Sequence, residues 1–192
     1  MTRNNKSILL HICCGPCLIY PLGYLRNEGL EVCGFFYNPN IHPYTEYLQR
    51  RENLNQYADT VGLKMIYDDR YHLEEFLRGA AFREAERCRH CYVMRLEQAA
   101  RFAKKGKFDY FSTTLLVSPY QKHELIISTG EAAGKKYGVK FYYADFWDGY
   151  REGAAKSREL NMYRQQYCGC IYSEKERYYK EKGKSGQTSK VY

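Results

Sequence analysis

The stretch SILLHICCGPC (Ser7–Cys17) decides the fold of this chain. Its first part, Ser7–Cys14, is a run of mostly apolar residues that Gly15 and Pro16 end, a pattern typical of a buried β-strand followed by a turn. The next residues, Cys17–Asn27, have the spacing of a helix. A buried strand that leads directly into a helix is the first unit of an α/β sheet. In such sheets ligands bind beyond the carboxyl ends of the strands, so we expect the loop after this strand to face a functional site.

Predicted strands and helices alternate along the rest of the chain. The further strands are Glu31–Tyr37, Lys64–Tyr67, Phe108–Val117 and Val139–Ala144. The further helices are Tyr44–Val61, Glu74–Leu77, Cys91–Lys104, Gln121–Tyr137, Glu159–Gln166 and Tyr172–Lys182, and Asp148–Ser157 is predicted to be a loop. The alternation predicts an α/β fold, a doubly wound parallel sheet with helices on both faces and a C-terminal helical extension. We expect residues 1–182 to form one domain and residues 183–192 to be a flexible tail.

The chain is basic, with 30 Lys and Arg against 22 Asp and Glu in 192 residues and a net charge of +8. This excess favours a polyanionic partner, of which nucleic acid is the usual one, although solubility alone also accounts for it. No apolar run reaches the roughly 18 residues that a membrane span needs. The apolar run Ile8–Cys14 is too short for a signal peptide, and we therefore expect a cytoplasmic protein without a membrane partner.

Eight cysteines are the chemically most informative residues of the sequence. In a reducing compartment, this many cysteines in a chain of this length indicate metal binding or redox catalysis rather than a disulfide scaffold. Cys88 and Cys91 form a C-x-x-C motif at the start of a predicted helix, where backbone N–H groups stabilise thiolates. Together with Cys13 and Cys14 they supply four thiolates, which are enough for a [4Fe–4S] cluster.

A zinc site with four cysteine ligands is the main alternative. Structural zinc sites usually combine two separated C-x-x-C motifs. The adjacent Cys13 and Cys14 suit a single tetrahedral ion poorly because neighbouring side chains diverge, whereas a cluster of several irons has a wider reach. The pattern therefore favours a cluster over zinc.

A C-x-C pair, Cys168 and Cys170, remains near the C-terminus. We interpret it either as a redox-active dithiol that forms a disulfide during turnover or as ligands of a second metal beside the cluster, together with Cys17. Two idle thiols are the remaining alternative. Cys33 lies inside an apolar strand and is predicted to be a small core residue. His11 is predicted to be a strand residue rather than a ligand.

Four segments together resemble the cobalamin-independent epoxyqueuosine reductases of the QueH type. They are LLHICCGPC (Leu9–Cys17), CRHCYVMRL (Cys88–Leu96), FSTTLLVSPYQK (Phe111–Lys122) and MYRQQYCGCIYS (Met162–Ser173). The resemblance runs in order through nearly the whole chain. It implies a HUP-like (Rossmann-like) fold and the last step of queuosine synthesis in tRNA, in which the epoxide of epoxyqueuosine at the wobble position is reduced to queuosine with loss of water.

The resemblance also implies cofactors and site residues. The cluster ligands map onto Cys13, Cys14, Cys88 and Cys91, and the C-G-C pair maps onto Cys168 and Cys170, as catalytic redox residues or as ligands of an additional mononuclear iron. Cys17 stands where some relatives carry a carboxylate, and either group is able to ligate iron. A glycine-rich stretch that is common before the C-x-x-C motif is replaced here by Ala81–Arg87.

The implied reaction needs two electrons and two protons. The electron donor is a partner that the sequence does not identify, and the candidate proton donors are Tyr163, Lys122 and Asp145. Two basic groups are expected to contact the tRNA, namely Arg151, Lys156, Arg158 and Arg164 after the fifth strand and Lys175, Arg177, Lys180, Lys182 and Lys184 near the C-terminus. Glutamates interrupt the second group, which is equally typical of a solvated helix.

Two other functions share parts of the pattern. An ATP-dependent tRNA-thiolating enzyme with a cluster has the same fold type, but it needs a Gly-rich S-G-G-x-D-S loop after the first strand to bind phosphate. Here the corresponding loop, His11–Cys17, contains no Asp and no Ser. A non-catalytic, zinc-containing RNA-binding protein is the alternative from a different functional class.

Overall fold

The computed structural model of the chain describes residues 5–180. The strands are β1 (Ser7–His11), β2 (Glu31–Phe36), β3 (Lys64–Tyr67), β4 (Tyr110–Thr113) and β5 (Lys140–Phe141). The helices are α1 (Gly15–Asn27), α2 (Tyr44–Thr60), α3 (Leu73–Ala80), α4 (Arg87–Lys105), α5 (His123–Tyr137), α6 (Tyr150–Glu159) and α7 (Ile171–Tyr178). Within these residues no helix has both the length and the apolar character that crossing a bilayer requires. The predicted tail, residues 183–192, lies outside the described residues.

The five strands form one sheet in the order β3-β2-β1-β4-β5, and every neighbouring pair is parallel. The chain winds outward from β1 to β3 and then returns to β4, so the direction of winding reverses between β1 and β4. Because crossovers between parallel strands are right-handed, α1 and α2 cover one face of the sheet and α4 and α5 cover the other. The predicted doubly wound α/β fold is confirmed.

The central strand β1 is buried on both faces, which explains its unbroken apolar sequence. Ile8, Leu9 and Leu10 have no exposed surface. Parallel strands covered by helices on both sides are continuous apolar runs rather than alternating ones. At the amino end of the sheet, the Asp109 carboxylate accepts hydrogen bonds from the backbone N (2.7 Å) and the Oγ (3.0 Å) of Ser7. These bonds tie the start of β1 to the residue before β4.

The strands are shorter than the sequence predicts. β1 ends at His11, and α1 begins at Gly15 rather than Cys17, because Pro16 fits the first turn of a helix, where a backbone donor has no partner to lose. The predicted strand Phe108–Val117 is extended only in β4. After it the Thr113 hydroxyl accepts a hydrogen bond from the Leu115 nitrogen at 3.2 Å and starts a 3₁₀ turn. The predicted strand Val139–Ala144 is reduced to β5.

Two predictions after β5 are wrong. The predicted loop Asp148–Ser157 forms α6 instead, and this helix packs on α1 and buries Gly153 and Ser157. The predicted helix Glu159–Gln166 is absent. The α6 helix stops at Glu159, Asn161 adopts a left-handed backbone with φ of 49°, and residues 162–170 form an irregular segment. The last predicted helix, Tyr172–Lys182, corresponds to α7 over its described part.

The packing of α1 against the residues before α6 gives a stability prediction. In Gly149→Ala, the added methyl group would overlap the Tyr20 ring, so we expect a destabilisation of about 1–3 kcal/mol by overpacking. Gly23→Ala is the matched control: no atom lies within 4 Å of the position that its methyl group would take, and the helix interior favours alanine by about 0.5–1 kcal/mol. Urea unfolding of both variants measures the difference. Equal stability of the two would contradict this packing.

Candidate metal centre

The cysteines gather where the winding of the sheet reverses, at the carboxyl ends of β1 and β4. Cys13 follows β1, and Thr114 follows β4. The Cys13 backbone nitrogen donates to Thr114 Oγ1 at 3.2 Å, and the Cys13 Sγ lies 3.4 Å from the same oxygen. The loop after β1 therefore faces the crevice in which doubly wound sheets bind their ligands.

Cys13, Cys14 and Cys17 form a compact trio of thiols. Their sulfur atoms all lie within 4.8 Å of one another, and those of the adjacent Cys13 and Cys14 are 3.8 Å apart. The expectation that the side chains of these neighbours diverge is therefore wrong, and their spacing does not by itself disfavour a single metal ion. Cys14 is the extended residue directly before α1, whose first residue is Gly15. A β-carbon on Gly15 would approach Asn53 Oδ1 and Met162 Cε to 2.6 Å each, so a larger residue there would displace both side chains. A trio of sulfur donors at this spacing suits a thiophilic metal.

The three thiols differ in acidity. Hydrogen bonds from Cys14 and Cys17, together with the nearby charge of Arg95, hold the pKa of Cys13 well below its usual range. Burial raises the pKa of Cys14, and the contacts with Cys13 and Cys14 raise the pKa of Cys17. Cys13 is thus the first of the trio to ionise. Ligation of a metal by the other two releases their protons, because only thiolates are strong ligands.

The C-x-x-C motif lies in the first two turns of α4. This helix begins one residue before Cys88, so its start includes both cysteines and not only Cys91 as predicted. Cys91 is buried, and burial raises the pKa of its thiol to about 12. His90, between the two cysteines, packs on α3 instead: a β-carbon on Gly79 would overlap the His90 ring. His90 therefore belongs to the α3–α4 contact and not to the site.

The C-x-C pair lies beside the C-x-x-C motif. Burial is the largest cause of the raised pKa of both Cys91 and Cys88. The C-x-C pair is close enough to add to it: Cys168 and Cys170 raise the pKa of Cys91 further, and Cys170 raises that of Cys88. Cys168 receives a hydrogen bond from Gln121 Nε2 at 3.5 Å, and Cys170 caps α7 by accepting the Ser173 backbone nitrogen at 3.4 Å. The pair is therefore part of the site, but Cys170 is buried rather than on an exposed turn.

Arg50 of α2 holds the C-x-C segment in place. Its guanidinium donates to the carbonyl oxygens of Cys168 and Tyr167, each at 3.0 Å, and to the Glu46 carboxylate at 2.7 Å. A second attachment lies nearby, where the Gly169 carbonyl accepts the His42 backbone nitrogen at 2.8 Å. The irregular segment is thus anchored on both sides of Cys168.

Arg95 of α4 is a buried cation between the cysteine groups, and only 1% of it is exposed. It donates to Cys91 Sγ at 3.5 Å, to Asn38 Oδ1 at 2.8 Å and to His11 Nε2 at 3.3 Å. Within residues 5–180 no carboxylate lies in ion-pair distance of it. A buried, unpaired charge is strongly unfavourable. The ionisable groups around it are the thiols of Cys91, Cys13 and Cys168, and of these Cys13 has the lowered pKa. Thiolates are therefore the anions able to balance this charge, with Cys13 the first to ionise.

The position of Arg95 among the cysteines shows that this donor set fits a metal cluster. Arg95 is near thiols of all three groups, namely the trio after β1, the C-x-x-C motif and the C-x-C pair. A site that buries a permanent cation among thiols is built for ionised sulfur, which is the form that binds iron or zinc.

His11 and Cys33 lie outside the donor set. His11 has no exposed surface, its Nδ1 pairs with Thr113 Oγ1 at 2.8 Å, and its Nε2, which accepts from Arg95, lies 3.1 Å from the Tyr37 carbonyl oxygen. Burial and the charge of Arg95 lower its pKa to about 3, so it is neutral. It is a strand residue, as predicted. Cys33 lies on β2 and is only partly buried, and its Sγ has a weak contact with the Gly34 carbonyl at 3.8 Å.

A cavity of about 350 Å³ opens directly onto the cysteines. Cys13, Cys17 and Cys168 form part of its wall. The other lining residues are Arg50, Arg95, Thr114, Leu115, Ser118, Tyr120, Gln121, Tyr150, Arg164, Gln165, Gln166, Tyr167 and Arg177. Four arginines and no carboxylate line the cavity in the described part of the chain. This cavity is therefore suited to an anionic ligand.

The candidate proton donors lie away from the cavity lining. The Tyr163 hydroxyl donates to Glu46 Oε2 at 2.5 Å, and burial and Glu46 raise its pKa. Asp145 accepts the Trp147 backbone nitrogen at 2.9 Å in a turn. Lys122 lies near Cys88 but does not line the cavity.

Of the basic residues predicted to contact tRNA, some line the cavity and others do not. Arg164 and Arg177 line the cavity, while Lys156 pairs with Glu159 at 3.0 Å on the surface of α6. Lys182 and Lys184 lie outside the described residues.

Sequence reasoning missed Arg50 and Arg95, and a signal for the second was present. Arg95 follows Cys91 by four residues and therefore lies on the same face of α4. Its neighbours on that face, Leu96 and Ala99, are fully buried. A charged residue within an apolar stripe marks a buried charge that requires a partner.

Solved structures share the fold. The U34-tRNA thiolase NcsA from Methanococcus maripaludis, described with its [4Fe–4S] cluster, superimposes with a TM-score of 0.60 at 16% identity over 89% of this chain and 62% of that one. This chain thus spans less than two thirds of the thiolase. A predicted subunit of a tRNA methyltransferase from Methanocaldococcus jannaschii gives a TM-score of 0.52 at 14% identity over 80% of this chain and 75% of that one. At such identities the likeness concerns the fold alone.

Sequence comparison is far more specific. The model of the family "Epoxyqueuosine reductase QueH" matches residues 8–176. The epoxyqueuosine reductase QueH of Dehalococcoides mccartyi is 40% identical over 172 residues, which cover 90% of this chain and 94% of the relative. That of Thermotoga maritima is 38% identical over 181 residues, 89% of this chain and 92% of the relative. The cysteine site, the fold and these matches agree, and the chain belongs to the epoxyqueuosine reductase QueH family.

Proposed function

We propose that this chain reduces the epoxide of epoxyqueuosine at the wobble position of tRNA and so completes queuosine. One observation carries the proposal: in a chain of the QueH family, Cys13, Cys17 and Cys168 line a cavity together with four arginines and no carboxylate within residues 5–180. Electron-transfer ligands and an anion-binding cavity in direct contact are the two parts that a reductase of a nucleic acid requires.

The cofactor we propose is a [4Fe–4S] cluster with Cys13, Cys14, Cys88 and Cys91 as ligands. The support is chemical: the ligands are all cysteines, they come from the end of β1 and the start of α4, and Arg95 lies near both sources. Such a cluster, when bound, supplies electrons one at a time. Reduction of the epoxide to the alkene takes two electrons and two protons, breaks both carbon–oxygen bonds and releases water. A second redox element is therefore needed in the same cavity.

We assign that role to Cys168 and Cys170. Oxidation of two thiols to one disulfide releases two electrons and two protons, which is the demand of one epoxide. Cys168 faces the cavity, and Gly169 between the two cysteines has a φ of 133° that only glycine adopts readily. The alternative use of this pair, with Cys17, is as ligands of an additional mononuclear iron. An external reductant then regenerates the site.

The protein contributes charge and position to this chemistry. Arg95 places a permanent positive charge beside the thiols, which favours binding of an anionic cluster and addition of an electron to it. Arg50 fixes the backbone of Cys168 through two hydrogen bonds from one guanidinium. Pro16, the second residue of α1, removes a backbone donor from the loop after β1, where an ATP-binding thiolase needs donors for phosphate.

Activity is tested with anaerobically purified and reconstituted protein, a chemical reductant and tRNA that carries epoxyqueuosine. We expect conversion of the modified nucleoside to a product lighter by one oxygen atom, measured by mass spectrometry of nucleosides. Iron-loaded protein that leaves the epoxide intact would contradict the proposal, and a colourless zinc protein that binds RNA would favour the non-catalytic alternative.

Cluster ligation is tested with single Cys→Ser variants. Cys13→Ser and Cys91→Ser are expected to lose most of the roughly four iron and four sulfide of the reconstituted protein, because each removes one of four thiolates. Cys33→Ser is the matched control, since this cysteine lies on β2 away from the donor set. Iron and sulfide analysis with absorption spectra gives the comparison. Full iron content in Cys91→Ser would remove the C-x-x-C motif from the ligand set.

The dithiol role predicts a different result for Cys168→Ser and Cys170→Ser. Both variants are expected to keep the iron and sulfide of the wild type and to lose turnover completely, because the cluster alone delivers a single electron. Wild-type protein that is pre-reduced and freed of reductant should convert about one substrate per chain, as one dithiol supplies two electrons. Activity in both variants would rule the dithiol out, and loss of one iron would point to the mononuclear metal.

The role of Arg95 is tested by Arg95→Met, which removes the charge and keeps an unbranched apolar stem. We expect weaker retention of iron during chelator competition, while the metal-free protein loses no more than about 1–2 kcal/mol, because the variant also removes an unbalanced buried cation. Arg95→Lys should recover part of the retention. Arg101→Met, at an exposed position of the same helix, is the control. Equal iron retention in Arg95→Met and wild type would contradict the charge-balance role.

A further inference from the structure

The mouth of the cavity carries an exposed aromatic side chain. Tyr120 lies on the turn after β4, 49% of it is exposed, and it lines the cavity. Its ring centroid lies 6.0 Å from that of Tyr150 at the start of α6, and the two planes meet at 86°. The contact is edge to face, so Tyr150 supports Tyr120 and leaves part of the Tyr120 surface open. An exposed, supported aromatic ring is a typical platform for a nucleobase.

The turn that carries Tyr120 also reaches the cysteines. The Tyr120 backbone nitrogen donates to Ser118 Oγ at 3.3 Å, which fixes the turn. The next residue, Gln121, accepts the Tyr92 hydroxyl at 2.8 Å and donates to Cys168 Sγ at 3.5 Å. A base stacked on Tyr120 would thus lie one residue away from Gln121, which contacts the Cys168 thiol.

Two cations flank this platform. Arg164 comes from the irregular segment and Arg177 from α7, and both line the cavity. Among the described residues, neither has a carboxylate in ion-pair distance, in contrast to Arg50, which is paired with Glu46. Arginines that line a cavity without such a partner are suited to phosphate groups.

The size of the cavity limits the ligand. A volume of about 350 Å³ lies near the lower end of the roughly 300–1,000 Å³ of small-molecule sites, and so it accepts one nucleoside but no base-paired helix. A nucleoside reaches such a cavity only after it leaves its stack.

We propose that Tyr120, supported by Tyr150, is the stacking platform for a single unstacked nucleobase, and that Arg164 and Arg177 hold the phosphates on either side of it. The ligand class is a single-stranded RNA loop. The inference rests on the proposed function in that the nucleoside on the platform is the one to be reduced. Recognition itself requires neither the epoxide nor electron transfer.

The test measures affinity of the cluster-loaded protein for a short RNA hairpin with guanosine at the wobble position, by fluorescence anisotropy at several salt concentrations. Tyr120→Ala is expected to weaken binding about tenfold or more, with an unchanged dependence on salt. Tyr120→Phe and Tyr150→Phe keep the ring contact and should bind like wild type. Tyr143→Ala, which removes a similarly exposed tyrosine outside the cavity, is the matched control.

The arginines have a separate signature. Arg164→Gln and Arg177→Gln should each lower the slope of log affinity against log salt by about 0.7, the value for one phosphate contact on a single strand. Arg101→Gln, at the opposite end of α4, should leave the slope unchanged. A fully paired RNA of equal length should not distinguish wild type from Tyr120→Ala, because its bases stay stacked.

The outcomes separate this inference from the proposed function. Equal hairpin affinity of wild type and Tyr120→Ala would overturn the platform even if wild type reduces the epoxide. Loss of affinity in Tyr143→Ala as large as in Tyr120→Ala would also overturn it. Tyr120-dependent binding by a protein that leaves the epoxide intact would support the platform and contradict the reductase function. Visible absorption of each variant confirms that the cluster site is unaltered.

Discussion

The balance between one buried guanidinium and the thiols around it is the interaction on which this site depends. Arg95 has almost no exposed surface and lies near cysteines from three separate parts of the chain. A cation in this position is tolerable only if sulfur atoms around it carry negative charge. Ionised sulfur in turn is tolerable in a buried site only beside a cation or a metal. The arrangement therefore favours ionised sulfur, the form in which cysteine binds a metal.

Hydrogen bonds from a second arginine, Arg50, account for the irregular backbone of the C-terminal segment that carries Cys168. In a helix that continued from α6, most carbonyl groups would accept intrahelical hydrogen bonds and would not be free for Arg50. The irregular path frees the carbonyls of Tyr167 and Cys168 for that guanidinium. Burial raises the pKa of Cys14 and of Cys168, and the charge of Arg50 opposes this effect although Arg50 is paired with Glu46. Arg50 thus contributes both position and charge, while Arg95 contributes charge without a carboxylate partner in the described part of the chain.

The sequence predicts those parts of the molecule that local signals determine. The apolar run of β1, the glycine and proline after it and the cysteine spacings are short-range patterns, and they are sufficient for the fold class and for the location of the loop at the switch point. The loop predicted in place of α6 is wrong because the polar, glycine-containing sequence there has a weak local signal, and the helix is stabilised by its packing on α1, a contact between residues distant in sequence. The Arg50 clamp joins residues more than a hundred positions apart, which no spacing rule reports.

The cavity brings exposed basic and aromatic side chains together with thiols. Tyr120, Arg164 and Arg177 line it from exposed positions, while Cys13 is buried and Cys17 and Cys168 are half-buried. A nucleoside bound in this cavity, as we propose, would displace water from it and so strengthen the field of Arg95 on groups near the thiols. On that proposal, selection of a single-stranded loop and protection of the reducing site follow from the same geometry. A wider cavity would weaken both, since it would admit paired RNA and would leave water beside the thiols.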